Sequence, residues 1–168
     1  KQFPDRFVQV GIAEQSMASV ASGMAAMGKI PFFDSYAAFS PGRNWEQIRT
    51  TIAYNDTNCK IIGGHAGVSV GADGGTHQAL EDIAIMRVLP NMTVLSPCDA
   101  TQTRLATIAS VEQVSGPAYI RFGREPVADF TSENLPFEVG KGQTFKEGKD
   151  ITIIATGHMA WEALQAAY

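Results

Sequence analysis

The chain has few of the residues on which several common functions depend. It contains 2 cysteines, Cys59 and Cys98, which are too far apart in sequence to form a CxxC pair. The HExxH sequence is also missing, so the chain lacks the usual zinc motifs and we assign no metal ligand. Two cysteines without an evident partner are typical of a reducing compartment, and we expect a cytoplasmic protein.

Basic clusters and long apolar runs are missing as well. Lys and Arg total 13 against 17 Asp and Glu, which gives a net charge of −4. This balance argues against nucleic acid or an anionic membrane as the main partner. No apolar run approaches the roughly 20 residues of a membrane span. The hydrophobic content of 45% suits an ordinary globular protein with a substantial core.

Apolar runs typical of strands alternate with segments typical of helices. The predicted strands are 7–10, 30–33, 60–64, 92–95 and 118–122, and the helices between them are 14–27, 44–55, 78–88 and 100–113. This alternation predicts an α/β fold with a mainly parallel sheet covered by helices and functional groups at the carboxyl ends of the strands. A further strand at 151–155 and a helix at 159–168 predict the start of a second domain.

A Gly-rich loop over residues 65–77, HAGVSVGADGGTH, carries two of the three histidines and one acid. Glycine lets the backbone approach a ligand closely, and the loop would emerge from a buried strand. The loop has neither the GxxxxGK[ST] nor the GxGxxG pattern, which argues against a nucleotide loop. A histidine in a packed loop often makes only a structural hydrogen bond, but His65, Asp73 and His77 together favour a polar substrate site.

Three other segments carry candidate residues, each with an ordinary structural alternative. Glu14 in VGIAEQ stands where a helix begins, a position that also favours an acid through the helix dipole. The aromatic residues of FFDSYAAF would form either core or a stacking platform. Arg121 and Arg124 in YIRFGR would hold an anion or pair with acids.

Taken in order, GIAEQ, FFDSYAAF, GGHAGVSVGADGGTHQ and PAYIRFGR resemble the pyrimidine-binding domain of transketolases and related thiamine-diphosphate enzymes. The resemblance covers most of residues 5–125, and KDITIIATG resembles the opening of the C-terminal domain of that family. It implies a pyrimidine-binding domain at 1–136, incomplete at its N-terminus. Residues 137–168 would be the beginning of the C-terminal domain, which is also incomplete. Such a chain would be a truncated C-terminal section of a split transketolase.

The resemblance implies a thiamine-diphosphate cofactor and the residues that contact it. Glu14 would hydrogen-bond N1′ of the aminopyrimidine and assist the proton transfers that activate the cofactor. Phe33 and Tyr36 would wall the pyrimidine ring, with Phe39 as a third member.

The resemblance also implies roles at the substrate. His77 would assist proton transfer at the C1 hydroxyl of the donor, and Asp73 would bind another substrate hydroxyl. His65 and Arg124 would contact the phosphate of a sugar phosphate, while Arg121 is a weaker candidate for this role. The activity implied is transfer of a two-carbon ketol unit from a ketose phosphate to an aldose phosphate.

The family holds the diphosphate and a divalent metal, Mg²⁺ or Ca²⁺, on a separate domain through a GDG motif and a later Asn, which GADGG does not reproduce. The resemblance therefore implies a diphosphate-binding domain or subunit as partner, in a homodimer or heterotetramer. Deoxyxylulose-phosphate synthase is an enzymatic alternative, but it would carry an arginine close to Ala66. A non-catalytic assembly subunit and an isolated nucleotide-binding domain are the remaining alternatives; intact Glu14, Asp73 and His77 argue against the first.

Overall fold

The computed structural model describes residues 2–168. The strands are Phe32–Tyr36 (β1), Lys60–Gly64 (β2), Thr93–Leu95 (β3) and Ala118–Arg121 (β4). The α-helices are Glu14–Ala26 (α1), Trp45–Gln47 (α2), Asp82–Arg87 (α3), Ala100–Glu112 (α4) and Met159–Ala166 (α5), and α2 continues as a π-helical segment over Ile48–Ala53. Short 3₁₀ turns cover Pro4–Arg6 and Gly75–His77. The alternation of strands and helices confirms the predicted α/β fold.

The four strands form one parallel sheet in the order β1-β2-β4-β3. Its register places Phe33, Ile61 and Tyr119 side by side across β1, β2 and β4. Ile120 pairs with Leu95 of β3 one position further along. Because side chains alternate between the two faces of a sheet, both faces are apolar here, as expected of a parallel sheet covered on both sides.

Helices cover both faces of this sheet. The row formed by Phe33, Ile61 and Tyr119 belongs to the main core, which also contains Ala18 of α1 and Met86 of α3. On the opposite face, Leu95 and Ile120 pack against Ala106 of α4 in a second buried cluster. The sheet is thus the middle layer of three, and its carboxyl edge is left for loops.

Two predicted strands are wrong. The segments 7–10 and 151–155 are not part of the sheet, and each contains highly exposed apolar side chains; Val8 is 58% exposed and Ile154 is 92% exposed. A strand requires a neighbour that exchanges backbone hydrogen bonds with it, and an apolar run in the sequence does not supply one. The final helix, α5, begins at Met159 as predicted.

Some element boundaries also differ from the prediction. β1 begins two residues later than the predicted strand 30–33 and continues to Tyr36. The predicted helix 78–88 is shortened to α3, because Ala79 pairs with Gly67 through two backbone hydrogen bonds and is held extended. Among residues 2–168, no helix has both the length and the apolar character needed to cross a membrane. The domain boundary at residue 136 stays a prediction.

Candidate functional site

The candidate residues gather at the carboxyl edge of the sheet. Tyr36 ends β1, His65 directly follows β2, and Arg124 lies three residues beyond β4. Parallel strands bring their carboxyl ends to one edge, which is where α/β folds commonly bind ligands. The structure therefore confirms that the Gly-rich loop emerges at this edge.

Four rings form a group that we call the aromatic cluster: Tyr36, Phe39, His65 and His77. Tyr36 and His65 stack with their ring centroids 3.8 Å apart and their planes 12° apart. The Phe39 ring lies 6.2 Å from that of Tyr36 and nearly parallel to it. His77 meets both rings edge-on, at centroid distances of 6.1 Å to Tyr36 and 5.3 Å to Phe39. The structure thus brings together two predicted cofactor residues and two predicted substrate residues.

Backbone hydrogen bonds hold the loop that carries the two histidines. Ala37 N–H donates to the carbonyl of Gly64 at 2.7 Å, and Ala66 N–H donates to that of Phe122 at 3.0 Å. Between these anchors His65 has a φ of 55°. This left-handed conformation is uncommon for a non-glycine residue, and such residues are frequent at functional sites. The backbone therefore holds the His65 ring over Tyr36.

Glu14 occupies the first turn of α1 and is 7% exposed. Its Oε2 atom accepts a hydrogen bond from Nη1 of Arg43 at 2.7 Å, and its backbone carbonyl accepts one from Nδ2 of Asn44 at 3.1 Å. The Cζ atom of Arg43 also lies 4.8 Å from the ring centroid of Phe39. Arg43 therefore connects the Glu14 carboxylate to the aromatic cluster.

The position of Arg43 over the Phe39 ring follows from the local backbone. Arg43 N–H donates to the Phe39 carbonyl at 2.9 Å, a helical i to i−4 bond. Residues four apart in such a turn have neighbouring side chains. Segment 39–43 thus presents an aromatic face and a cation together.

Asp73 and Arg124, which are predicted to contact substrate, are both exposed. The Asp73 carbonyl accepts a hydrogen bond from Oγ1 of Thr76 at 3.5 Å, within the turn that leads to His77. Arg124 contacts the same loop, because its Nη1 atom donates to the carbonyl of Val70. A side chain at Gly71 would come within 2.7 Å of that nitrogen. The guanidinium of Arg124 is therefore held against the Gly-rich loop.

Phe33 is the predicted site residue that the structure separates from the others. The residue is 6% exposed and belongs to the main core with Ala18 and Ile61. It lies three residues before Tyr36 on β1, so the two side chains point to opposite faces of the sheet. We correct its predicted role accordingly and count Phe33 as a core residue.

Two acidic residues near the site, Asp34 and Asp82, have different surroundings. Burial raises the pKa of the Asp34 carboxyl, and the charge of His65 acts in the opposite direction. Beneath the sheet edge, Asp82 is 2% exposed and accepts hydrogen bonds from Tyr119 Oη at 2.9 Å and Arg121 Nε at 2.7 Å. Burial, followed by the charge of Asp82, raises the pKa of Tyr119. Arg121 is thus engaged in a structural ion pair.

Sequence reasoning missed two residues at this edge. Arg43 stands four residues after Phe39, a helical spacing that signals a possible contact, but its pairing with Glu14 spans 29 residues and depends on the tertiary fold. The other is His158, just before α5, whose Nε2 accepts a hydrogen bond from Gly123 N–H at 3.3 Å. No local pattern marks this second contact.

The geometry agrees with what comparison with protein families finds. Residues 1–128 match the family described as the pyrimidine-binding domain of transketolase. The chain belongs to the transketolase family. The transketolase family implies thiamine diphosphate as cofactor.

Relatives of this transketolase-family chain include proteins named as transketolase subunits. It is 45% identical over 167 residues to 6-deoxy-6-sulfo-D-fructose transketolase subunit SqwH of Clostridium sp. (strain MSTE9), covering 99% of this chain and 52% of the relative. It is 41% identical over 167 residues to an apulose-4-phosphate transketolase subunit of Phocaeicola vulgatus, covering 99% and 53%. The chain therefore spans about half the length of these curated relatives.

A solved transketolase structure also resembles this chain. A split-gene transketolase in an inactive β4 tetramer superposes with a TM-score of 0.89 at 49% identity. The match covers 98% of this chain and 53% of that one. This chain thus has the fold of the matched half of that polypeptide.

The residues at the site fit an aminopyrimidine. The Arg43 guanidinium is planar and rich in N–H groups, and it lies over the Phe39 ring while donating to Glu14. A nitrogen-containing aromatic ring would make the same two kinds of contact. Within the described residues, no group of three or more His, Cys, Asp or Glu side chains is arranged to hold a metal ion.

Proposed function

We propose that this chain supplies the pyrimidine-binding half of a transketolase active site, which transfers a two-carbon ketol unit between sugar phosphates. The observation that carries the proposal is the continuous set of contacts from Glu14 through Arg43 and Phe39 to His77. It places a buried acid, a ring-stacking surface and a histidine around one position. When bound, thiamine diphosphate supplies the nucleophilic carbon that receives the two-carbon unit.

Glu14 and the aromatic rings have separate tasks in this proposal. Glu14 holds or releases a proton at N1′ of the aminopyrimidine, and the contact of Asn44 with its backbone carbonyl keeps the start of α1 in place. Tyr36 and Phe39 orient the pyrimidine ring by stacking and shield it from water. These residues therefore position the cofactor before substrate arrives.

His77 acts on the substrate side of the same rings. Its Nδ1 atom shares a hydrogen bond with Oγ1 of Thr76 at 2.9 Å, and its ring lies nearly perpendicular to that of Phe39, so two contacts orient the imidazole. A fixed imidazole can move a proton to or from a hydroxyl of the bound sugar. Asp73, exposed in the same loop, would accept a hydrogen bond from another sugar hydroxyl.

The anionic end of the substrate would meet His65 and Arg124. A guanidinium binds phosphate and sulfonate oxygens through similar charge-assisted hydrogen bonds. One relative is named for a sulfo-sugar and another for a sugar phosphate. Comparing donors that differ only in phosphate or sulfonate would identify the preferred anion, and Arg124→Ala should raise the KM for that donor.

The proposed enzyme requires a second polypeptide region. A diphosphate-binding domain or subunit would hold the diphosphate and a divalent metal, and would complete the site at the carboxyl edge of the sheet. The solved relative is described as a split-gene transketolase in an inactive β4 tetramer, which supports the need for a second kind of polypeptide.

The test is a two-carbon transfer assay with the full-length chain and the product of the adjacent gene, in the presence of thiamine diphosphate and Mg²⁺. Xylulose 5-phosphate is the donor and ribose 5-phosphate the acceptor. Glu14→Gln should abolish turnover while the complex still forms; Glu112→Gln, an exposed change on α4, is the matched control. Turnover that survives in Glu14→Gln would contradict the proposed role of this acid.

The enzymatic alternative is deoxyxylulose-phosphate synthase, and the same assay with pyruvate as donor tests it. That alternative would place an arginine near position 66, where Ala66 is 4% exposed and packs with Ala37 and Ala79. Pyruvate-dependent product in place of ketol transfer would favour the alternative.

A further inference from the structure

Arg43 contacts two residues of the proposed cofactor site, although the sequence predicts no role for it. Its side chain is 48% exposed, whereas that of Glu14 is 9% exposed. The guanidinium reaches inward from the surface, donates to Glu14 at 2.7 Å and covers the Phe39 ring at 4.8 Å. A surface cation is therefore held by two groups that the proposed function assigns to the cofactor.

The guanidinium and the aminopyrimidine require the same surfaces. A guanidinium and an aminopyrimidine are both flat groups that carry nitrogen atoms at their edges. A guanidinium donates to a carboxylate in its own plane, N1′ of an aminopyrimidine shares a proton with a carboxyl group in its own plane, and both bind an aromatic face by stacking. An aminopyrimidine that took the same Oε2 position of Glu14 and the same face of Phe39 would overlap with the Arg43 guanidinium.

We propose that Arg43 competes with the aminopyrimidine for Glu14 and Phe39, so that cofactor binding requires the Arg43–Glu14 ion pair to open. This inference rests on the proposed function, because it takes Glu14 and Phe39 as cofactor contacts. The half-exposed position of Arg43 gives its side chain a route outward into solvent. Only molecules with the ion pair open would bind the cofactor. The apparent Kd for the cofactor is therefore the intrinsic Kd divided by the fraction of molecules in the open form.

The test compares thiamine diphosphate binding to variants of the full-length chain assembled with its diphosphate-binding partner. Titration calorimetry in Mg²⁺ buffer gives the Kd, and stopped-flow tryptophan fluorescence gives the association rate. Arg43→Ala should lower the Kd about three- to tenfold, since a partly exposed ion pair contributes modestly. It should also speed association, because no ion pair has to open first.

Arg49 offers a matched control on the same region of the chain. Its Cζ atom lies 5.8 Å from the Trp45 ring centroid, so it is also an arginine over an aromatic ring. Arg49→Ala should bind like the unchanged protein. Arg43→Lys keeps the charge but loses the flat donor group, and it should give an intermediate Kd; it also carries the test if Arg43→Ala does not assemble.

The measurements distinguish failure of the proposed competition from failure of the proposed function. A Kd for Arg43→Ala that equals or exceeds that of Arg49→Ala would overturn the competition and make Arg43 a neutral or supporting residue. If the unchanged complex binds no thiamine diphosphate, the proposed function itself fails, and the inference fails with it.

Discussion

The rings of Tyr36 and His65 lie face to face, with centroids 3.8 Å apart and planes 12° apart. Tyr36 ends β1, and its partner in the parallel register is Gly64 at the end of β2. His65 then turns over the tyrosine with a φ of 55°. A residue proposed to contact the cofactor and one proposed to contact the substrate phosphate are thus in direct contact.

This stack predicts that one substitution affects both ligands. Tyr36→Ala should weaken thiamine diphosphate binding about three- to tenfold, from the loss of one ring contact, and should raise the KM for a phosphorylated donor because His65 loses its support. Tyr36→Phe keeps the ring and should change neither quantity greatly. Calorimetry and steady-state kinetics on the assembled complex measure both. Equal damage from the two variants would show that the hydroxyl, rather than the ring, is important.

The contact between Gly71 and Arg124 predicts an effect on substrate alone. Gly71 has a φ of 83°, and an added Cβ would lie 2.7 Å from Nη1 of Arg124. Gly71→Ala should therefore strain the loop by about 1 kcal/mol and displace the guanidinium, so that KM for the donor rises severalfold. Gly75→Ala is the control, since a Cβ there meets no atom within 4 Å. The Kd for cofactor should stay unchanged in both, and a parallel loss of cofactor affinity would argue against this interpretation.

Sequence reasoning succeeded where the signal is local. The four runs that form β1 to β4 and the start of α1 at Glu14 follow from apolar patterns and strand-to-helix order. The runs at 7–10 and 151–155 look similar, but their pairing depends on neighbours that the local sequence does not specify.

Tertiary contacts explain the other differences. Lys60 is fully buried within a strand predicted to be apolar, because its Nζ donates to the carbonyls of Val114 and Gly116 at 3.0 and 2.9 Å. Phe33 and Tyr36 share one aromatic segment, and only the position of β1 determines that the first enters the core and the second the site. Spacing along the chain could not separate them.

The buried Asp82 should be important for stability. Asp82 is 2% exposed and links Tyr119 of β4 and Arg121 to α3. Asp82→Asn removes the negative charge beside a largely buried arginine, and the free energy of unfolding should fall by about 3 kcal/mol. Tyr119→Phe removes only one hydrogen bond and should cost about 1 to 2 kcal/mol. Urea denaturation of the full-length chain, with the exposed Asp150→Asn as control, measures the differences; a loss for Asp82→Asn no larger than the control would contradict the assigned role.

The contact between His158 and Gly123 should make the attachment of α5 depend on pH. Burial, and then the charge of Arg121, lowers the pKa of His158 below its ordinary value of 6.5. The Gly123 N–H requires an unprotonated Nε2 as acceptor. The detached form binds a proton more readily than the attached form, so the attachment weakens as pH falls below about 6.5 and through the lowered pKa.

Hydrogen exchange of residues 157–166, corrected for intrinsic rates, would measure this effect between pH 7.5 and 5. The unchanged chain should lose protection in that segment on acidification. His158→Gln keeps an acceptor that does not titrate, so its protection should vary little with pH. The α4 helix, whose N-cap Asp99 accepts from Gln102 N–H at 2.7 Å, serves as the internal reference. Equal pH dependence in the two proteins would assign the loosening to groups other than His158, because the substitution removes only the titrating imidazole.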